Sequence, residues 1–218
     1  MSDTDFRPSR SALWLGLGSA VLLVVLECTY GVVLVLGLSD IRGPGQPIRD
    51  PYFTLMEVLI LAMMPVMIAL VCAIHALCDL SKRHLALAGL VFLAILATIT
   101  SAVHATILML SKDPRFADME HVFSFQWPSV VYVLDVLAWD LFFGLFAIFT
   151  ALCFERHGLD GWVRRLLLLG GALALFGLWG AATGDTRLRN IGILGYVGVF
   201  TLAVGCLAVS FWRRLRPV

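Results

Sequence analysis

Charged side chains are scarce in this chain, and that scarcity excludes a soluble domain. Only 14% of the 218 residues are Asp, Glu, Lys or Arg, against about 25% in typical soluble proteins. The net charge of +1 supplies no basic field for a nucleic acid. Cysteine is missing from the polar loops. Cys28, Cys72, Cys78, Cys153 and Cys206 all fall in or at the ends of apolar runs, so no disulfide framework is expected. They read as small packing residues. Walker A, GxSxG, CxxC, HExxH and HxxxH patterns are absent as well. These absences remove the usual signatures of nucleotide, serine-hydrolase, thiol-redox and zinc chemistry. The sequence specifies no cofactor, and nothing singles it out as an enzyme. No internal repeat is visible either, although many secondary transporters are built from repeats.

What is abundant is apolar surface: 60% of residues are hydrophobic and the mean hydropathy is +0.93. Runs of about 18 or more mostly apolar residues read as membrane-spanning helices. Six occur, over residues 12–37, 53–79, 85–110, 128–153, 163–183 and 190–211. The expected fold is all-α, a polytopic six-helix membrane bundle with short loops, and residues 1–218 read as a single integral membrane domain. Arg7 and Arg10 precede the first run as in a signal peptide, but that run is about 25 residues long, where a signal core has roughly 7–15. It reads as a retained first helix.

The basic residues set an expected orientation. Arg7, Arg10, Lys82, Arg83, Arg156, Arg164, Arg165, Arg213, Arg214 and Arg216 fall on one side, and Arg42, Arg49, Lys112, Arg115, Arg187 and Arg189 on the other. The second group is matched by Asp40, Asp50, Asp113, Asp118, Glu120 and Asp185. Both termini are therefore expected in the cytoplasm, with the chain multi-pass in a membrane of the bacterial inner type.

Ionisable residues interrupt the apolar runs. A charge near the bilayer centre costs about 2.5–3.5 kcal/mol even on an insertion scale, so such residues face a bundle interior, a partner or water. At about 1.5 Å per residue, Glu57, His104 and Asp135 lie roughly 8–11 Å below the outer boundary. Glu27 and Asp140 lie at about 15–18 Å. A polar cavity in the outer half of helices 1–4 is the expectation, with Glu27, Tyr30, Glu57, His104, Asp135, Trp139 and Asp140 as candidate ligand-binding residues. Helical counting puts Asp135 and Asp140 about 140° apart. Asp135 would share the cavity with His104 and Glu57. Asp140 would meet a different partner, with Glu27 preferred by depth. Glu57 and His75 are expected on one inward face of helix 2, with Met64, Ile68 and Cys72 between them and Asp79 one turn beyond. The last two helices carry small residues instead of central charges. Gly170, Ala174, Gly177, Ala181 and Gly184 face Gly195, Gly198, Thr201, Gly205 and Ala208, the kind of stripe that lets helices approach closely in lipid.

Three kinds of function stay open on these residues. The first is binding or transport of a small solute, a cation or a proton; Tyr30, Trp127, Tyr132 and Trp139 would offer cation–π faces to an organic cation. In helix count and size the chain resembles the substrate-binding subunits of vitamin importers, a resemblance that carries no motif and therefore no residue. The second is an accessory or structural role, with the charges pairing internally or with a partner membrane subunit or another copy. The third is a membrane-embedded metalloenzyme, for which Glu27, Glu57, His104 and Asp135 are the candidate ligands. The lipid bilayer is the one partner common to all three.

Overall fold

The computed structural model describes residues 9–41, 43, 46–125 and 127–216, with only the backbone of Glu120 and Thr186. Arg7 and Arg42, which enter the charge count above, lie outside the described residues. Among the described residues there is no strand, and six helices are long and apolar enough to cross a bilayer. They are α1 (Arg10–Ser39), α2 (Tyr52–Leu77), α3 (Leu80–Leu110, including an opening 3-10 turn), α4 (Val130–Ala151), α5 (Gly158–Thr183) and α6 (Arg187–Leu215). The protein is an all-α, multi-pass integral membrane protein.

Each helix packs against its neighbours in sequence, and α6 closes the ring against α1. Gly16 near the start of α1 faces the Phe211 ring near the end of α6, so the two chain ends share one end of the bundle. The other end carries the longer loops. Fully buried Leu23, Met67, Leu93, Phe143, Phe146 and Val204 fill the interior. Phe143 meets Phe200 edge to face at 5.2 Å, a geometry favoured by the ring quadrupoles. The outward faces expose Val25, Val32, Val58, Val91 and Leu202, as lipid requires.

Sequence rules explain four of the helix ends. Ser9 accepts the Ala12 amide at 3.2 Å, Ser129 the Tyr132 amide at 3.2 Å, and Asp185 the Arg187 amide at 2.9 Å. These are N-caps, and each satisfies an amide that the helix leaves unpaired. The Asp185 cap starts α6 earlier than its apolar run suggests. Arg187 and Arg189 therefore stand on the helix, not in a loop. Gly184 ends α5 in the left-handed region, at φ 73°, which glycine alone adopts without a Cβ penalty.

Two predicted features need correction. The Glu57–His75 stripe does not stay inward. The buried face of α2 runs through Glu57, Ile60, Met63, Met67, Leu70 and Ile74, while Cys72 is exposed and His75 half-buried. A count of 3.6 over five turns accumulates too much error to hold a face, and α2 runs unbroken through Pro65. The small-residue stripes pack only in part. Gly170 and Gly195 touch back to back: a Cβ on Gly195 would fall 2.6 Å from the Gly170 carbonyl oxygen. Gly180 lies against the backbone of Leu188 and Arg189. Gly198 and Gly205 face open space, and Gly184 is a helix cap.

Leucine at position 195 has to displace backbone, whereas leucine at 198 points outward. Gly195→Leu is expected to destabilise by about 1–3 kcal/mol, the usual cost of overpacking. Gly198→Leu should stay within about 0.5 kcal/mol of the parent. Thermal melts in detergent compare the two.

Candidate functional site

A cavity of 260 Å³ opens at the long-loop end. Its mouth is lined by Pro47, Ile48, Phe53 and Phe125. The loop before α2 folds back over α1 because Gly37 leaves room: a Cβ there would sit 2.7 Å from Ile48. Asp50 anchors the same loop. It accepts the Thr54 amide at 3.2 Å and the Thr54 hydroxyl at 2.7 Å, and pairs with Lys112 at the end of α3. The Lys112 ammonium holds the Asp50 carboxyl below the usual carboxylate range.

Beneath the mouth runs a chain of charged side chains from four helices. Glu57 Oε2 lies 2.6 Å from His104 Nδ1. His104 Nε2 lies 3.4 Å from Asp135 Oδ1, within ion-pair reach but out of hydrogen-bond alignment. The Arg189 guanidinium donates to Asp135 Oδ2 at 3.5 Å. Arg189 also lies 4.9 Å over the Tyr132 ring, and Phe125 stacks on His104 at 5.5 Å. All four members of the chain are buried or nearly so. The rings of Tyr132 and Phe125 cover Arg189 and His104, which excludes water and fixes their orientation.

Below this chain the cavity is walled by Glu27, Tyr30, Met63, Trp139, Tyr196 and Val197. Trp139 and Tyr196 lie 5.1 Å apart, and each sits on a π-helical turn, Leu137–Phe142 in α4 and Leu194–Val199 in α6. Such turns insert an extra residue and re-aim side chains, and they recur at functional sites. Here they point two large rings into the same space. Glu27 lies beside Thr201 of α6, whose hydroxyl donates to the Val197 carbonyl at 2.6 Å.

The structure brings together Glu27, Tyr30, Glu57, His104, Asp135 and Trp139 around the cavity. Asp140 is not among the lining residues. It is fully buried, with both carboxyl oxygens unpartnered, in a slot between Gly177 of α5 and Gly192 of α6. Arg189 and Asp135 are the charged groups acting on it, and Glu27 is not its partner. Glu27 was preferred by depth alone, and it faces the cavity instead.

Arg189, Ile193, Tyr196 and Val197 of α6 also line the site. The expected cavity of helices 1–4 thus includes α6, which composition alone assigned to packing. Arg189 looked like a loop residue because the apolar run starts after it. The signal was Asp185, whose cap places Arg189 one turn into the helix. Trp127 lies outside the cavity, against Tyr132 at 5.7 Å.

Among the described residues no three His, Cys, Asp or Glu side chains are placed to hold a metal ion. Both nitrogens of His104 lie within 3.4 Å of carboxylate oxygens, and the candidate ligands Glu27, Glu57, His104 and Asp135 form no such group. No family model, curated protein or solved structure matches the chain, and the resemblance to vitamin-importer subunits stays at helix count and size.

Removing one partner of a buried ion pair strands the other, at about 3–5 kcal/mol. Arg189→Met should therefore destabilise strongly, and Arg189→Met combined with Asp135→Asn should recover much of the loss. Detergent melts of the two single variants and the double variant measure the coupling.

Proposed function

We propose that the protein binds a small solute in the cavity between α1, α2, α3, α4 and α6, entered from the long-loop end. The observation that carries this reading is the cavity itself: 260 Å³, mostly apolar walls, and convergent polar groups from several helices. Ligand sites have this composition, with apolar lining and a few fixed polar groups, and volumes of roughly 300–1,000 Å³; this one suits a ligand at the small end. Intramembrane ionisable residues facing such a space mark substrate and ion pathways. Glu57, His104, Asp135 and Arg189 would form its polar ceiling, and Glu27, Tyr30, Trp139 and Tyr196 its floor. Beneath the floor, Met67, Leu93, Phe143 and Phe146 pack without exposure, so the site communicates with one side of the membrane. The basic bias puts both termini in the cytoplasm and the mouth on the opposite face, in a bacterial inner membrane.

A second reading draws on the contacts the charges already make. Glu57, His104, Asp135 and Arg189 lie within ion-pair reach of one another across four helices, as in a lock, and an accessory subunit needs no ligand. Access separates the two. In a background with the native cysteines replaced by alanine, Ile193→Cys on the cavity wall should react with a small methanethiosulfonate added from the long-loop side. Ala203→Cys in the packed core should stay unlabelled. Equal protection of both positions contradicts a solute site.

A further inference from the structure

We infer that the solute is a small organic cation, its ammonium group seated on Glu27 and its body held among Tyr30, Trp139 and Tyr196. The inference rests on the solute-binding reading and adds the chemistry of the ligand.

The charges in the cavity do not balance. Glu27, Glu57 and Asp135 face Arg189 and His104. Arg189 is engaged with Asp135 and the Tyr132 ring, and His104 lies between Glu57 and Asp135. Both basic side chains of the cavity are therefore taken up at the level of the mouth. Glu27 is left over. Among the described residues no Lys, Arg or His pairs with it, and the Thr201 hydroxyl beside it donates to the Val197 carbonyl at 2.6 Å. Glu27 is only 4% exposed. A carboxylate is stable in such a place only beside a positive charge or additional hydrogen-bond donors, which a bound ammonium supplies.

The position of Glu27 fits a ligand head group. Counted at about 1.5 Å per residue from the long-loop ends of their helices, Asp135, Glu57 and Arg189 lie roughly 3–8 Å deep. Glu27, Tyr30, Met63, Trp139 and Tyr196 lie at about 14–18 Å. The unpaired carboxylate thus sits on an aromatic floor, below the ion-paired ceiling. Tyrosine and tryptophan faces attract cations, and a carboxylate flanked by such faces suits an ammonium far better than an anion. A hard divalent ion needs about six or more oxygen ligands. The floor has one carboxylate, and no metal-holding cluster exists among the described residues. The ligand is therefore an organic amine that also fills apolar space.

Three nearly isosteric probes test this on the full-length protein in lipid nanodiscs, by isothermal titration calorimetry with empty-nanodisc blanks: benzylammonium, benzyl alcohol and benzoate. Benzylammonium should bind at least tenfold more tightly than benzyl alcohol, and benzoate should not bind. Glu27→Gln should abolish the preference for the amine while leaving the alcohol bound. Tyr30→Leu, which leaves the carboxylate in place, should weaken the amine several-fold and the alcohol little. If the alcohol or benzoate binds as well as the amine, or if the preference survives Glu27→Gln, the cation assignment is wrong and the solute site stands. If no probe binds and Ile193→Cys stays unlabelled, both the assignment and the solute site are overturned.

Discussion

Ionised side chains cannot rest against hydrocarbon, and this bundle meets that constraint with one continuous chain of contacts, from Glu57 through His104 and Asp135 to Arg189. The chain links α2, α3, α4 and α6. Each member is hard to bury alone and acceptable beside its neighbour. Because the helices pack in sequence order around a ring, the last must return to the first. Arg189 is the side chain that α6 brings to the common interior. The polar ceiling of the cavity and the closure of the ring are consequences of the same pairing.

Close packing of α5 against α6 makes that placement feasible. Gly170 and Gly195 meet at backbone distance, and Gly180 receives the backbone at Arg189. A larger residue at either contact moves α6 away from the interior, and Arg189 with it. Asp140 fits the same frame. Its carboxyl occupies the space that Gly177 and Gly192 leave open, next to the guanidinium that serves Asp135. The α5 helix lines none of the cavity yet sets where one wall stands.

Much of this was legible in the residues. Six long apolar runs give six helices, and charges too costly for lipid point inward, which is why Glu57, His104 and Asp135 meet in the interior. What the sequence hid has identifiable causes. Arg189 was masked because hydropathy marks where lipid begins, whereas the helix begins at its Asp185 cap. Asp140 was mispartnered because equal depth does not decide which helices are neighbours: Asp140 points to the Gly177–Gly192 slot between α5 and α6, whereas Glu27 lines the cavity. Gly198 and Gly205 joined a stripe by spacing, although only the rotation of α6 decides which glycines meet α5. Tyr196 escaped notice because an aromatic in an apolar run carries no mark of which way it faces.

The central claim is that Arg189 lies inside the bundle against Asp135. Rotational-echo double-resonance NMR on protein in lipid bilayers, with 15N in the arginine guanidinium groups and 13C in the aspartate carboxyls, reads that contact, and Arg189→Lys and Asp135→Asn controls assign it. The Arg115–Asp113 and Arg214–Asp160 pairs also dephase and persist in both controls; the account predicts an additional component that corresponds to the 3.5 Å approach and is lost in each control. Dephasing unchanged by either substitution would place Arg189 away from Asp135, at the membrane surface, and would remove the polar ceiling from the cavity.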